Sequence, residues 1–441
     1  MSPEVISLIG IIVGLIVIVY CAFKSVPILI LAPCTAMIVA LFSATNPFTF
    51  LTGPYAEGVA NFAQKQFCLF LTSAVFGKIM GDSGAARIIG YKIAGLADKY
   101  EDPFKKKFIG VMSMVALGAI LTYGGVTSYV LWFTSVVIAK EIYEKLDIPW
   151  NLYICIVLGS TQFTMTMAPG SPSIQNNVPT SYLGTTAMAA PVLGTIASII
   201  AVALGTIYIA WAVKSEVKKG RGFYPDGTEM AKTCPKFEET PDMPLIICLI
   251  PSLVLLVVLN VFKQPAVTAV FCGIVVSMLL FRKNLKNPMK TLGDGAGNAV
   301  NSLMNVCVIT GFGTAVASTA GYSLVMGSLD KIPGPPVFKI IIAVNVAAGI
   351  TGSATSGLGI ALGQLSDYFL SLGLSPQIIH RMACVSAGGL DSLPHNSGIY
   401  NSFAVSKLNH KMAYKHYFWL TVVITLIVAF ICAGLVQLGI C

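Results

Sequence analysis

Charge is scarce in this chain. Only 11% of its 441 residues are Asp, Glu, Lys or Arg, roughly half the share usual in a soluble globular domain. Histidine is scarcer still, with four in all, which narrows the places where imidazole chemistry can occur. The 11 cysteines form no Cys-x-x-Cys pair and no metal-ligand spacing, which argues against a zinc site or a disulfide framework. Most fall inside apolar stretches (Cys21, Cys34, Cys68, Cys155, Cys248, Cys272, Cys307) and read as reduced thiols acting as small apolar residues. No metal or cofactor is expected. No Lys or Arg precedes the first apolar run, residues 5–23, and no small-residue cleavage site follows it. That run is therefore expected to be a retained span and not a leader.

What fills the chain instead is apolar sequence. Hydrophobic residues make up 55% of it and the mean hydropathy is +0.79. Stretches of roughly 17–25 apolar residues, each long enough to cross a bilayer, recur along nearly the whole length. The net charge of +9 lies in short loops between these stretches, the positive-inside pattern, and not in a stripe suited to nucleic acid. Lipid is therefore the expected partner and the bacterial-type inner (plasma) membrane the expected location. Residues 43–57 lack Lys and Arg, whereas residues 78–107 carry Lys78, Arg87, Lys92, Lys99, Lys105, Lys106 and Lys107. The second group should face the cytoplasm, which puts the N-terminus outside. Residues 214–243, the longest hydrophilic segment, then lie inside, as do the clusters Arg282/Lys283/Lys286/Lys290 and Lys407/Lys411/Lys415, and the C-terminus is outside.

The first half thus begins outside and the second begins inside, the arrangement of inverted repeats. Four short matches recur in the same order in both halves: Phe23-Lys24 with Phe262-Lys263, Gly84 with Gly321, LTYGGVTS with ITGSATSG, and MAPGSPSI with SLPHNSGI. The expected architecture is an all-α membrane protein of two inverted repeats, residues 1–213 and 244–441, joined by a cytoplasmic linker at 214–243. Each repeat should hold a re-entrant hairpin, at 108–139 and 337–372, so that the chain has about ten transmembrane helices plus two re-entrant hairpins.

In lipid every backbone N–H and C=O must be paired, so broken helix is tolerated only in a protein interior or a cavity. Gly, Pro, Ser and Thr interrupt the apolar pattern at four places: 123–128, 167–175, 352–357 and 393–398. Helix N-termini there would offer free N–H groups and partial positive charge to an anion. The candidate substrate-binding residues are Gly124, Gly125, Thr127, Ser128, Pro169, Gly170, Ser171, Ser173, Gln175, Ser353, Thr355, Ser356, His395, Asn396 and Ser397. Small residues and hydroxyls also pack membrane helices, but four symmetric interruptions favour a site. Ionisable residues within spans are functional by default. His395 is a candidate for meeting a carboxylate or relaying a proton, and Asp391 for taking up a proton. A structural hydrogen bond for His395 and a helix cap for Asp391 are the plain alternatives. Lys65 is expected to snorkel towards the outer interface.

Gly81-Asp82-Ser83-Gly84 spells the short string of a serine hydrolase. It stands at the end of an apolar stretch with no matching histidine, and a cap opening the amphipathic segment 85–97 explains it better. The chain is not expected to be an enzyme.

At these residues the sequence resembles the gluconate permease (GntP) family of the ion transporter superfamily, over nearly its whole length. The strings are GKIMGDSGAARIIGYKIAG, MAPGSPSIQNNVPTSYLGTT, TGSATSGLGIALG and SAGGLDSLPHNSGIYNSF. The resemblance implies proton-coupled symport of small hydroxy-carboxylates, a homodimer with scaffold and transport domains, and an elevator motion. The chain departs from gluconate-type members, which resemble P-H-P-G-P where Ala168-Pro169-Gly170-Ser171-Pro172 stands here. They also resemble S-H-x-N-D-P-G where this chain has Ser392 to Gly398. The LPHNSG form is similar to the branch associated with 3-hydroxybutyrate and other short monocarboxylates. A sodium-coupled di- or tricarboxylate symporter of the same superfamily is the first alternative, and an intramembrane hydrolase using Ser83 a remote one.

Overall fold

A computed structural model describes residues 1–124, 126–233, 242–328 and 334–440. Among them the chain is helical with no strand, the build of a helical membrane protein. Helices α1 (Pro3–Phe23) and α2 (Ile28–Phe42) pair, as do α8 (Leu245–Asn260) and α9 (Ala266–Leu280). Two long helices, α3 (Ala56–Asp82) and α10 (Pro288–Ala317), pack against each other through the centre. Each is followed by a short helix, α4 (Ala85–Gly95) and α11 (Ala320–Ser328). Two helix–turn–helix pairs come next: α5 (Pro103–Tyr123) with α6 (Ser128–Lys145), and α12 (Pro336–Thr351) with α13 (Ala354–Ser371).

Irregular helical turns at Trp150–Leu158 and Phe163–Met167 lead into the first break, which is followed by short turns at Ile174–Asn177 and Thr180–Leu183. Its counterpart in order is α14 (Pro376–Ala387), a turn at Leu390–Ser392, and α15 (Ser397–Ser406). Helices α7 (Pro191–Lys218) and α16 (His410–Gln437) close the two halves and pack together. Helix α7 runs through Lys218, into the segment assigned from the sequence to the linker.

Among the described residues, four helices (α1, α7, α10 and α16) are long and apolar enough to cross a membrane, and four shorter apolar ones accompany them. Helix α3 falls outside that set because Asn61, Gln64, Lys65 and Gln66 interrupt its apolar sequence. Glycines let the central helices approach closely. A Cβ on Gly77 would stand against the Phe133 carbonyl, and one on Gly295 would reach the Val75 backbone at 2.8 Å. Close backbone approach of this kind takes the place of a hydrophobic driving force where the solvent is lipid.

Each helix–turn–helix pair is tied to the break that follows it. Thr122 Oγ1 lies 2.7 Å from Thr164 Oγ1, and Asn345 Oδ1 accepts the Leu390 N–H at 2.9 Å. The chain thereby satisfies buried backbone groups where regular helix ends.

Candidate functional site

Helices restart after each interruption with a polar cap. Thr127 accepts from Val130 N–H, Ser173 from Asn176 N–H, Ser353 from Ser356 N–H and Asn396 from Ile399 N–H. A cap satisfies one of the orphan donors of a first turn and leaves others free. These local choices put the starts of α6, α13 and α15 at the breaks.

The four broken segments converge on two adjoining cavities of 560 and 100 Å³. Ser128, Tyr129, Gln175, Ser353, Thr355 and Ser397 line both, so the two cavities share a wall. The larger cavity also meets Thr127, Pro172, Ser173 and Ser356, and is walled by Gly58, Asn61, Lys65 and Gln66 of α3 with Thr310 and Thr314 of α10. The smaller one meets Asp391, Ser392, Asn396, Thr161, Thr166 and Thr421. Three helix N-termini thus border a space lined with hydroxyls and amides, where their partial positive charges favour an anion.

Asp391 is the carboxylate in this space. Ser392 Oγ donates to its Oδ1 at 2.9 Å, and Asn396 Nδ2 bonds its backbone oxygen at 2.7 Å and lies 3.5 Å from Oδ2. The Ala354 N–H at the start of α13 faces the same carboxylate. Among the described residues it forms no ion pair. A carboxylate held by hydrogen bonds and not by an ion pair is a site where a proton can be gained without breaking a salt bridge.

Other sequence-derived candidates stand one layer back. His395 is fully buried against Gly352 at the turn between α12 and α13, and lines neither cavity. Ser171 is buried, and among the described residues its hydroxyl has no hydrogen-bond partner. Gly170 takes φ +75° and donates to the Ala187 carbonyl. The Pro169 carbonyl accepts the Tyr123 hydroxyl at 3.1 Å. Gly124 ends α5, its N–H bonded to Ile120. Gly125 lies outside the described residues. These groups shape the lining more than they form it.

Sequence reasoning missed the α3 and α10 walls. The Asn61, Lys65 and Gln66 cluster within a long helix was the available signal, together with Thr310 and Thr314 one turn apart. Lys65 is exposed at the cavity's edge. Arg381 was also missed.

Ser83 is buried. Its hydroxyl donates to the Met80 carbonyl and accepts from the Ala85 N–H, a helix-opening turn beside Gly84 at φ +80°. Among the described residues it bonds no histidine: His380 meets Thr185 and Asn176, His410 the Pro394 carbonyl, and His416 the Tyr208 hydroxyl. Nothing there resembles an activated nucleophile.

No family model matches the chain. It is 27% identical to an uncharacterized transporter, YxjC, of Bacillus subtilis (strain 168), covering 95% of this chain and 96% of that relative. Among solved structures, the Alcanivorax borkumensis YdaH transporter aligns over 89% of each chain at 12% identity, with a TM-score of 0.36. That score is too low to carry fold or mechanism across.

Proposed function

We propose that the chain is a secondary transporter of the inner membrane, moving a small organic anion inward together with a proton. The observation that carries this reading is the convergence of four broken segments on two adjoining polar cavities that hold a single carboxylate, Asp391, without a cation beside it among the described residues. Full-length similarity to a named transporter supports it. The substrate class is a hydroxy-monocarboxylate such as 3-hydroxybutyrate or gluconate. Its carboxylate is met by the N-termini of α6, α13 and α15, and its hydroxyl by Ser, Thr and Gln side chains. In this reading the two halves are inverted repeats. The pairs α5–α6 and α12–α13 are the re-entrant hairpins, and α3 with α10 is the scaffold along which the site moves in an elevator-type cycle, within a homodimer.

Asp391 carries the proton. When the site is empty, its carboxylate holds the Ala354 N–H and the Ser392 hydroxyl. A bound substrate anion competes for the same donors, and two like charges so close favour protonation of one. Anion and proton thus bind together.

Purified protein in liposomes should accumulate labelled 3-hydroxybutyrate or gluconate when the outside is acidified. Accumulation driven by a sodium gradient and not by pH would replace the proton with sodium. No carboxylate uptake under either gradient would end the reading.

A further inference from the structure

Arg381, on α14, is fully buried, and every N–H of its guanidinium has an oxygen. Nε donates to the Ala189 carbonyl at 3.0 Å. Nη1 donates to the Met167 carbonyl at 3.2 Å and to Asn176 Oδ1 at 3.0 Å. Nη2 donates to the Ala187 and Ala189 carbonyls at 3.0 and 2.8 Å. These five bonds end on four acceptor atoms, the Ala189 oxygen taking two, and all four are neutral. Among the described residues no ion pair includes Arg381, and its neighbours His380, Thr185 and Cys384 bring no carboxylate.

A guanidinium cannot shed its proton to escape burial. Carbonyl dipoles satisfy its donors but leave its unit charge in place, and a buried charge without a counter-ion is costly. The residues it grips adjoin the cavity. Met167 follows Thr166 and Asn176 follows Gln175, both lining residues, and the Cys384 thiol bonds the Gln175 carbonyl at 3.4 Å. A residue from the second half therefore holds the first half's break in shape and leaves positive charge behind it.

We propose that Arg381 is the fixed cation of the anion site, a positioning residue whose unanswered charge selects a monovalent carboxylate over a neutral molecule in the adjoining cavity. This rests on reading that cavity as the substrate site. A buried unit charge behind such a site, acting through an effective dielectric of about 20, changes affinity for an anion on the order of tenfold.

The test measures the affinity of the purified full-length protein, by ligand-induced thermal stabilisation, for 3-hydroxybutyrate and gluconate, each against its neutral amide. Wild type should prefer the anion. Arg381→Lys, which keeps the charge and loses the fork, should keep that preference at lower affinity for both ligands. Arg381→Gln should lose roughly tenfold in preference. A purely structural role would weaken anion and amide alike and leave their ratio fixed. Should Arg381→Gln fail to fold, Cys384→Asp decides. It sets a carboxylate one turn along α14 from Arg381 and should cut the preference, while Cys384→Ser should not. Folded Arg381→Gln or Cys384→Asp protein with the wild-type ratio overturns the proposal. Wild type that binds neither anion nor amide overturns the transport reading itself, and this inference with it.

Discussion

Gly352 and His395 are in contact across the second hairpin. A Cβ built on Gly352 would stand 2.9 Å from His395 Cδ2 and 3.2 Å from its backbone oxygen. The glycine sits at φ +62° between α12 and α13, and the imidazole behind it is fully buried with neither ring nitrogen hydrogen-bonded to a described residue at good geometry. His395 is thus a wall supporting the turn that carries Ser353, Thr355 and Ser356 to the cavity.

Replacing that glycine should therefore disturb both stability and binding. Gly352→Ala meets a left-handed backbone and a clash together, at a cost of about 1–3 kcal/mol. Its melting temperature should fall, and stabilisation by the carboxylate should weaken. His395→Ala in the same chain should recover part of the loss, because it removes the ring but not the backbone contact. A double variant no better than Gly352→Ala would mean that the ring is not what the new methyl strikes.

Asp391→Asn removes the proposed proton carrier but keeps a side chain able to accept from Ser392. Accumulation driven by a pH gradient should be lost, while exchange of labelled for unlabelled substrate across the liposome persists. Liposomes of both proteins, assayed side by side for gradient-driven uptake and for exchange, supply the measurement. Retained gradient-driven uptake would move the proton to another group.

Lys65 stands at the cavity edge and in no ion pair among the described residues. An exposed charge there steers an anion without gripping it, so its effect should fade with salt. Lys65→Gln should raise KM by roughly two- to fivefold at low ionic strength, with the difference narrowing in high salt and kcat little changed. A salt-independent change would point to direct contact instead.

Asn345 joins α12 to the second break. Its Oδ1 accepts the Leu390 N–H and its Nδ2 donates to the Ile341 carbonyl at 2.9 Å. Asn345→Ala leaves the half-buried Leu390 N–H unpaired and should cost about 1 kcal/mol or somewhat more, read as a lower melting temperature. Asn345→Asp keeps the acceptor and should lie between the two if the Leu390 bond matters most.

Much of the local structure was legible because it depends on near neighbours. Apolar runs announced helices. The Gly, Pro, Ser and Thr clusters announced where regular i to i−4 bonding stops. Thr127, Ser173, Ser353 and Asn396 announced where it resumes, since a cap bonds a backbone group only a few residues on. The convergence of those breaks, suspected from their paired positions, needed no more than pattern to suggest.

Which side chains face the cavity was decided by tertiary structure. Ser173 lines it, while Ser171, two residues earlier, is buried behind it, and Asp391 lines it where His395 does not. Neighbouring residues in irregular backbone have no fixed period, so pattern cannot assign their directions. Arg381 shows the same limit more sharply. Its sequence marks it only as a charge near an apolar stretch, and its meaning lies in carbonyls at Met167, Ala187 and Ala189, roughly two hundred positions away in the chain. The sequence by itself determined where helices must break, because backbone pairing is local. Only the packing of one half against the other decided what those breaks enclose and which charge stands behind them.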